Sequence, residues 1–230
     1  MEKLRKNCVV SLLINLSIVY FTISSVWYSF RTDVIHDPEW FGFIGIHSLR
    51  FFTVLSNIFV AVAAFIMLIY NVKNLIKDSY DYPGWLITLK YIATAAVTVT
   101  FVTVAVLLAP TYAIVGKGYF TLFLGNHIFM HLITPILSII SFVFFENFHI
   151  ISFKKSLLGL LPVAIYSILY TTMVIFVGET NGGWPDFYNF TFGGHNWVIP
   201  FSVIGMLLMT FLISIVLTKW HNKKCENKKA

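Results

Sequence analysis

Residues 51–71 read FFTVLSNIFVAVAAFIMLIYN, a stretch without one charged side chain. At about 1.5 Å of rise per residue it forms a helix of about 30 Å, the thickness of a bilayer's hydrocarbon core. Five further runs of the same character lie outward from it, near 8–30, 86–109, 126–146, 156–178 and 197–219. Asp and Arg are absent from all six. The one lysine within a run rather than at its edge, Lys90, stands a turn from the start of the third, where its stem can snorkel to the headgroups. Composition points the same way. A chain of 230 residues that is 58% hydrophobic and 11% charged, with mean hydropathy +0.81, has too little polar material to coat a water-facing surface. The expected fold is all-α: one polytopic, six-helix transmembrane domain over residues 1–230.

Basic residues give the orientation. Lys3, Arg5, Lys6, Lys73, Lys77, Lys154, Lys155, Lys219, Lys223, Lys224, Lys228 and Lys229 fall on one side of the six runs, and only Arg31, Arg50 and Lys117 on the other. The excess marks the cytoplasmic face, so both termini are expected inside a cell membrane. The net charge of +6 is spread between apolar runs and at the chain ends rather than along one face, which excludes nucleic acid as a partner. Lys3, Arg5 and Lys6 before the first run resemble a secretory signal, but its apolar stretch is too long and has no small-x-small cleavage site. Cys8 and Cys225 stand alone, so no disulfide framework, metal site or cofactor is implied.

The outer loops are unusual. Residues 39–52 are too apolar to float in water and too short to span, and are expected on the outer interface. The last outer loop, 178–196, holds Asn181-Gly182-Gly183-Trp184-Pro185 and Gly193-Gly194, turn-forming sequences that can fold back as a cap over the bundle. Its Asn189-Phe190-Thr191 is a glycosylation sequon only in a eukaryotic secretory pathway. Abundant Lys, Asn, Ile and Phe instead fit an AT-rich bacterial genome. Trp27, Trp40, Trp85, Trp184, Trp197 and Trp220 sit where runs meet headgroups, an anchoring belt.

The neutral polar residues inside the runs carry the functional information. Thr53, Ser56 and Asn57 share one face at the start of the second run. The fourth opens with Asn126-His127 and continues to His131, placing two histidines at i and i+4. Both runs enter from the same side, so Thr53 and His131 reach similar depth. Small polar residues ordinarily pack helices together, and Ser56 is read that way, as are Thr94, Thr98, Thr100 and Thr103, whose hydroxyls can bond back to the preceding turn. An ionisable histidine in a span is costly and points to function. Pro135, one turn beyond His131, removes a backbone hydrogen bond and is expected to bend the helix and open a cavity.

The Phe51-Phe52-Thr53 and Asn126-His127…His131 motifs, in a six-span layout with both ends inside, resemble the family of androgen-induced and androgen-dependent TFPI-regulating proteins, intramembrane threonine hydrolases with bacterial relatives. The resemblance covers the layout of nearly the whole chain. It implies hydrolysis of fatty acid esters of hydroxy fatty acids, with Thr53 as nucleophile and His131 as its partner. Two departures stand out: three residues rather than two separate His127 from His131, and Val54 replaces an aromatic after the threonine. The choice between His127 and His131 therefore stays open.

The chemistry is self-consistent. A threonine hydroxyl needs a base within hydrogen-bond reach, and His131 or His127 supplies the only candidates in the spans. Glu146 lies fifteen positions along from His131, about 22 Å at helical rise, and cannot orient it. Asn57 is the favoured orienter, with Asn126 or Asp37, Glu39, Glu179 and Asp186 from outer loops as alternatives. Backbone amides near Asn126 and His127 are the candidate oxyanion donors. Three functions follow: a lipid-ester hydrolase, a non-catalytic lipid-binding or regulatory membrane protein, and an ion-coupled carrier, the last disfavoured by the expected lack of buried charges in the spans. Oligomeric state is not legible.

Overall fold

The computed structural model describes residues 2–31, 45–146 and 148–229, and the described residues are helical without strands. Six helices dominate: α1 (Glu2–Arg31), α2 (Phe52–Lys77), α3 (Gly84–Ile114), α4 (Phe129–Phe145), α5 (Phe153–Val177) and α6 (Ile199–Lys229). All but α4 are long and apolar enough to cross a membrane. Each apolar run of the sequence falls on one of these helices. α2 runs beyond its apolar stretch to Lys77 and ends in left-handed Asp78, which turns the chain toward Pro83 and the start of α3.

Outward faces are apolar: Leu13, Tyr20 and Ile23 on α1, Phe65 and Ile69 on α2, Ile165 and Ile168 on α5, Leu208 and Leu212 on α6 are exposed. Inward faces are mixed. α1 buries Cys8, Ser11, Asn15, Ile18, Thr22 and Ser25, a three-and-four-residue repeat, and α6 buries Thr210, Ser214, Thr218 and His221. A helix apolar toward its surroundings and polar within suits lipid as solvent, where packing and internal hydrogen bonds, not the hydrophobic effect, hold helices together.

α3 is the axis. It packs against α2, α4, α5 and α6, and Ala93 and Val97 join Ile18 of α1 in one buried cluster. Ala93, Ala95 and Ala96 have no exposed surface, and their small side chains let the neighbours close in. α5 packs tightly at Gly159, where an added Cβ would stand 2.4 Å from Ser214 Oγ and 2.7 Å from the Tyr91 hydroxyl. Tyr91 donates there to the Ser156 carbonyl at 2.6 Å.

Three helices contain wide π turns: Val104–Leu108 in α3, Phe129–Ile133 and Ser141–Phe145 in α4, and Thr172–Val177 in α5. The first turn of α4 carries His131 and immediately precedes Thr134–Ile140, with Pro135 near its start. The π turn before Pro135 accommodates the missing N–H and the bulk of the ring.

Candidate active site

Thr53 lies in the first turn of α2 and lines a small cavity of about 30 Å³ with Thr100, Thr103, Tyr166, Ser167 and Tyr188. Phe52, Val104, Leu108 and Phe190 make most of the remaining wall apolar, and the space has the volume of one or two waters. Tyr188 comes from the loop between α5 and α6. Its hydroxyl accepts from the Phe52 N–H at 3.1 Å and adjoins the hydroxyls of Thr53 and Tyr166. Burial pushes the Tyr188 phenol up to about 12, so it stays protonated at neutral pH. Tyr166 in turn donates to the Arg50 carbonyl at 2.6 Å.

That loop folds back as the turn sequences anticipate. Gly183 sits where a Cβ would come within 2.2 Å of the Met173 carbonyl oxygen and 2.6 Å of that of Gly178, so only glycine fits. Asp186 organises the rest. It accepts from the Tyr170 hydroxyl at 2.6 Å, the Phe190 and Thr191 N–H groups at 2.9 and 2.8 Å, and the Thr191 hydroxyl at 2.5 Å. Burial alone would raise the carboxyl, but these hydrogen bonds outweigh it and hold Asp186 below the ordinary carboxylate range. Both of its oxygens are spent on the loop, so Asp186 orders the cap instead of orienting a histidine. Asp37 and Glu39, the other acidic candidates from the first outer loop, lie outside the described residues.

His131 is buried, and its Nδ1 stands 2.6 Å from the Leu122 carbonyl oxygen. A carbonyl only accepts, so in the neutral ring Nδ1 carries the hydrogen and Nε2 keeps a free lone pair. His127 is exposed and stacks on His131 with ring centroids 5.5 Å apart. Asn126 donates to the Ser25 carbonyl at 3.1 Å and ties the start of α4 to α1. The His127 amide is bonded to the Leu124 carbonyl at 3.2 Å and is no longer available as an oxyanion donor.

Asn57 joins the two halves of the site. Its amide donates to the Thr53 carbonyl at 2.8 Å and to the Met130 carbonyl at 3.1 Å, while its buried Oδ1 has no partner. It links the Thr53 turn to the residue before His131 but does not orient the imidazole; the Leu122 carbonyl does. No hydrogen bond joins Thr53 to His131 among the described residues, and His131 is not among the cavity walls. Ser56 bonds Thr100 at 2.8 Å, the helix-packing role expected of it. The threonines of α3 divide. Thr98 bonds back to the Thr94 carbonyl, whereas Thr94 reaches Ser138 of α4 at 2.7 Å and the buried Thr103 hydroxyl has no partner.

At the opposite end of the bundle the structure corrects the reading of Lys90. Far from snorkelling, Lys90 is fully buried, its ammonium bonded to Asn15 Oδ1 and 3.8 Å from Glu146 Oε1, which is also fully buried. Glu146 Oε1 accepts from Ser11 at 3.0 Å, Asn15 at 2.5 Å and Ser141. Asn71 donates to Ser11 at 3.1 Å, and Tyr82 donates to Asn71 at 2.7 Å. The expected lack of buried charge, the ground for disfavouring a carrier, does not hold. Among the described residues no group of three His, Cys, Asp or Glu side chains is placed to hold a metal ion.

Comparison with family models, with curated proteins and with solved structures finds no match to this chain.

Proposed function

We propose that the chain is a multi-pass protein of a bacterial plasma membrane, crossing it six times with both termini cytoplasmic, and that it hydrolyses lipid esters with Thr53 as nucleophile and His131 as general base. The observation that carries this reading is the contact of His131 Nδ1 with the Leu122 carbonyl, which leaves Nε2 as the nitrogen that can act as a base. A backbone carbonyl thus fills the orienting place that a carboxylate fills in a serine triad. The resemblance to intramembrane threonine hydrolases supplies the substrate class, fatty acid esters of hydroxy fatty acids.

In this mechanism Thr53 turns about χ1 away from Tyr188 and gives its proton to His131 Nε2 as Oγ1 attacks the ester carbonyl. The Tyr188 hydroxyl, protonated at neutral pH and beside Thr53, donates to the oxyanion. The imidazolium protonates the departing alcohol, and water then frees the acid from Thr53 by the reverse proton path.

Purified protein assayed on such esters should lose all measurable turnover as Thr53→Ala and about 100- to 10,000-fold as His131→Ala, the usual range for a general base. His127→Ala should stay within about threefold, since its ring is exposed and supports His131 only by stacking. Undiminished hydrolysis in both Thr53→Ala and His131→Ala sinks the proposal.

A second reading, a non-catalytic lipid-binding protein, is favoured by an apolar groove of about 540 Å³ between α1 and α2, lined by Val19, Ile23, Trp27, Ile58, Val62 and Phe65. It predicts co-purifying lipid and a Thr53 that a fluorophosphonate probe leaves unlabelled.

A further inference from the structure

Ester chemistry at Thr53 gives no role to Lys90 and Glu146 at the other end of the bundle. Two charges buried away from water each cost several kcal/mol unless their bonding is complete. Here it is lopsided. Glu146 Oε1 takes three hydrogen bonds, while Oε2, equally buried, takes none. A pair serving only to fix helix register would use both oxygens; an orphaned carboxylate oxygen is where a proton binds.

From Lys90 buried hydroxyls recur along α3 toward the other end, those of Thr94 and Thr100 bonded across to neighbouring helices and that of Thr98 back to a carbonyl. Thr94 and Thr98 stand one and two turns beyond it on the same face, and Ser138 of α4 bonds Thr94. Thr100, bonded to Ser56 of α2, and Thr103, whose buried hydroxyl is unpartnered, open into the Thr53 cavity. Lys90 to Thr103 covers about 20 Å at helical rise, most of a bilayer's hydrocarbon thickness.

We propose that Lys90 and Glu146 form a proton-binding site inside the helix bundle and that protons pass between it and the Thr53 cavity by rotation of the α3 hydroxyls and through water entering between them. A proton entering bonds to Glu146 Oε2 and cancels the carboxylate charge. Lys90 releases a proton from Nζ to the hydroxyl line and recovers one from Glu146, so the pair ends as it began. Each transfer breaks one N–H or O–H bond and forms another, and no redox partner is involved. Other titratable groups at this end of the bundle are Cys8 of α1 and Tyr82 of the α2–α3 turn, 3.3 Å apart, Tyr91 beside Lys90, Cys225 of α6, and His149 and His221, whose ring nitrogens face carbonyl oxygens.

The test is proton flux into liposomes holding the full chain and a trapped pH dye, driven by a potassium–valinomycin potential with no ester present, so that it stands apart from the hydrolase reading. Wild type should acidify the lumen about tenfold faster than protein-free vesicles, and Glu146→Gln and Thr94→Val should fall to within about twofold of that baseline. Glu146→Gln preserves shape and the Oε1 acceptor. If it fails to fold, Thr94→Val, isosteric and outside the ion pair, decides alone. Wild-type flux at the protein-free rate, or wild-type flux in a folded variant, overturns the proposal.

Discussion

Asp186→Asn tests whether one carboxylate holds the cap over Thr53. The asparagine keeps one acceptor oxygen for the Tyr170 hydroxyl and the Phe190 N–H, but an NH₂ group takes the place of Oδ2. The Thr191 N–H, 2.8 Å from Oδ2 in the native loop, then faces a donor. The Thr191 hydroxyl can turn and accept; the amide cannot. An orphaned N–H together with the loss of charge-assisted bonds costs about 3 kcal/mol, equivalent to about 100-fold in the opening equilibrium of the loop. Hydrogen exchange in detergent or nanodiscs reads this directly, as a loss of protection of about 100-fold at the Phe190 and Thr191 amides. Acid should mimic the substitution. Because the folded carboxyl titrates below its unfolded value, its stabilisation is fully present above about pH 4 and is lost as pH falls through the folded pKa, so wild type and Asp186→Asn converge in acid. Protection in the variant within threefold of wild type at neutral pH would refute the assignment of Asp186 as the organiser of the cap.

Gly183→Ala should loosen the same loop more severely, because the added Cβ meets the backbone of Met173 and Gly178, which cannot step aside; the same two amides report it. Gly159→Ala brings its Cβ against Ser214 Oγ and the Tyr91 hydroxyl, side-chain ends that can move a little, so the cost is an overpacking of about 1–3 kcal/mol, seen as a lowered thermal midpoint and relieved by Ser214→Gly.

The helices were legible because a lipid-facing helix is apolar on its whole outward face, which hydropathy detects without any knowledge of neighbours. Matched depth for Thr53 and His131 came from counting residues along two runs that enter from the same side, and Asn57 does link their helices. What orients His131 was not legible: the Leu122 carbonyl is a backbone atom, and no side chain announces it. Tyr188 reaches Thr53 only because of how the loop between α5 and α6 closes, a matter of Gly183 and Asp186 acting together. Lys90 was misread because its distance from the end of an apolar run says nothing about rotation. It lies on the inward face of α3, where the stem cannot reach headgroups, and its partner closes α4 far along the chain. One signal was available: Cys8, Ser11, Asn15, Thr22 and Ser25 repeat along α1 at helical spacing and mark a polar inward face waiting for partners.

The interior polar contacts therefore serve two ends that experiments can separate. In lipid, apolar side chains gain little by leaving their surroundings, so rungs such as Thr94–Ser138 and Ser56–Thr100 help hold α3 to its neighbours. A single such rung contributes on average only about 0.6 kcal/mol, because a chain unfolded within the membrane also finds hydrogen-bond partners. Replacing one threonine by valine keeps the volume and removes little stability. A relay tolerates no such loss, since one missing hydroxyl interrupts it entirely. A folded bundle with its proton flux abolished is thus the expected outcome of Thr94→Val if the α3 hydroxyls conduct, and a folded bundle with flux unchanged is the outcome if they only pack.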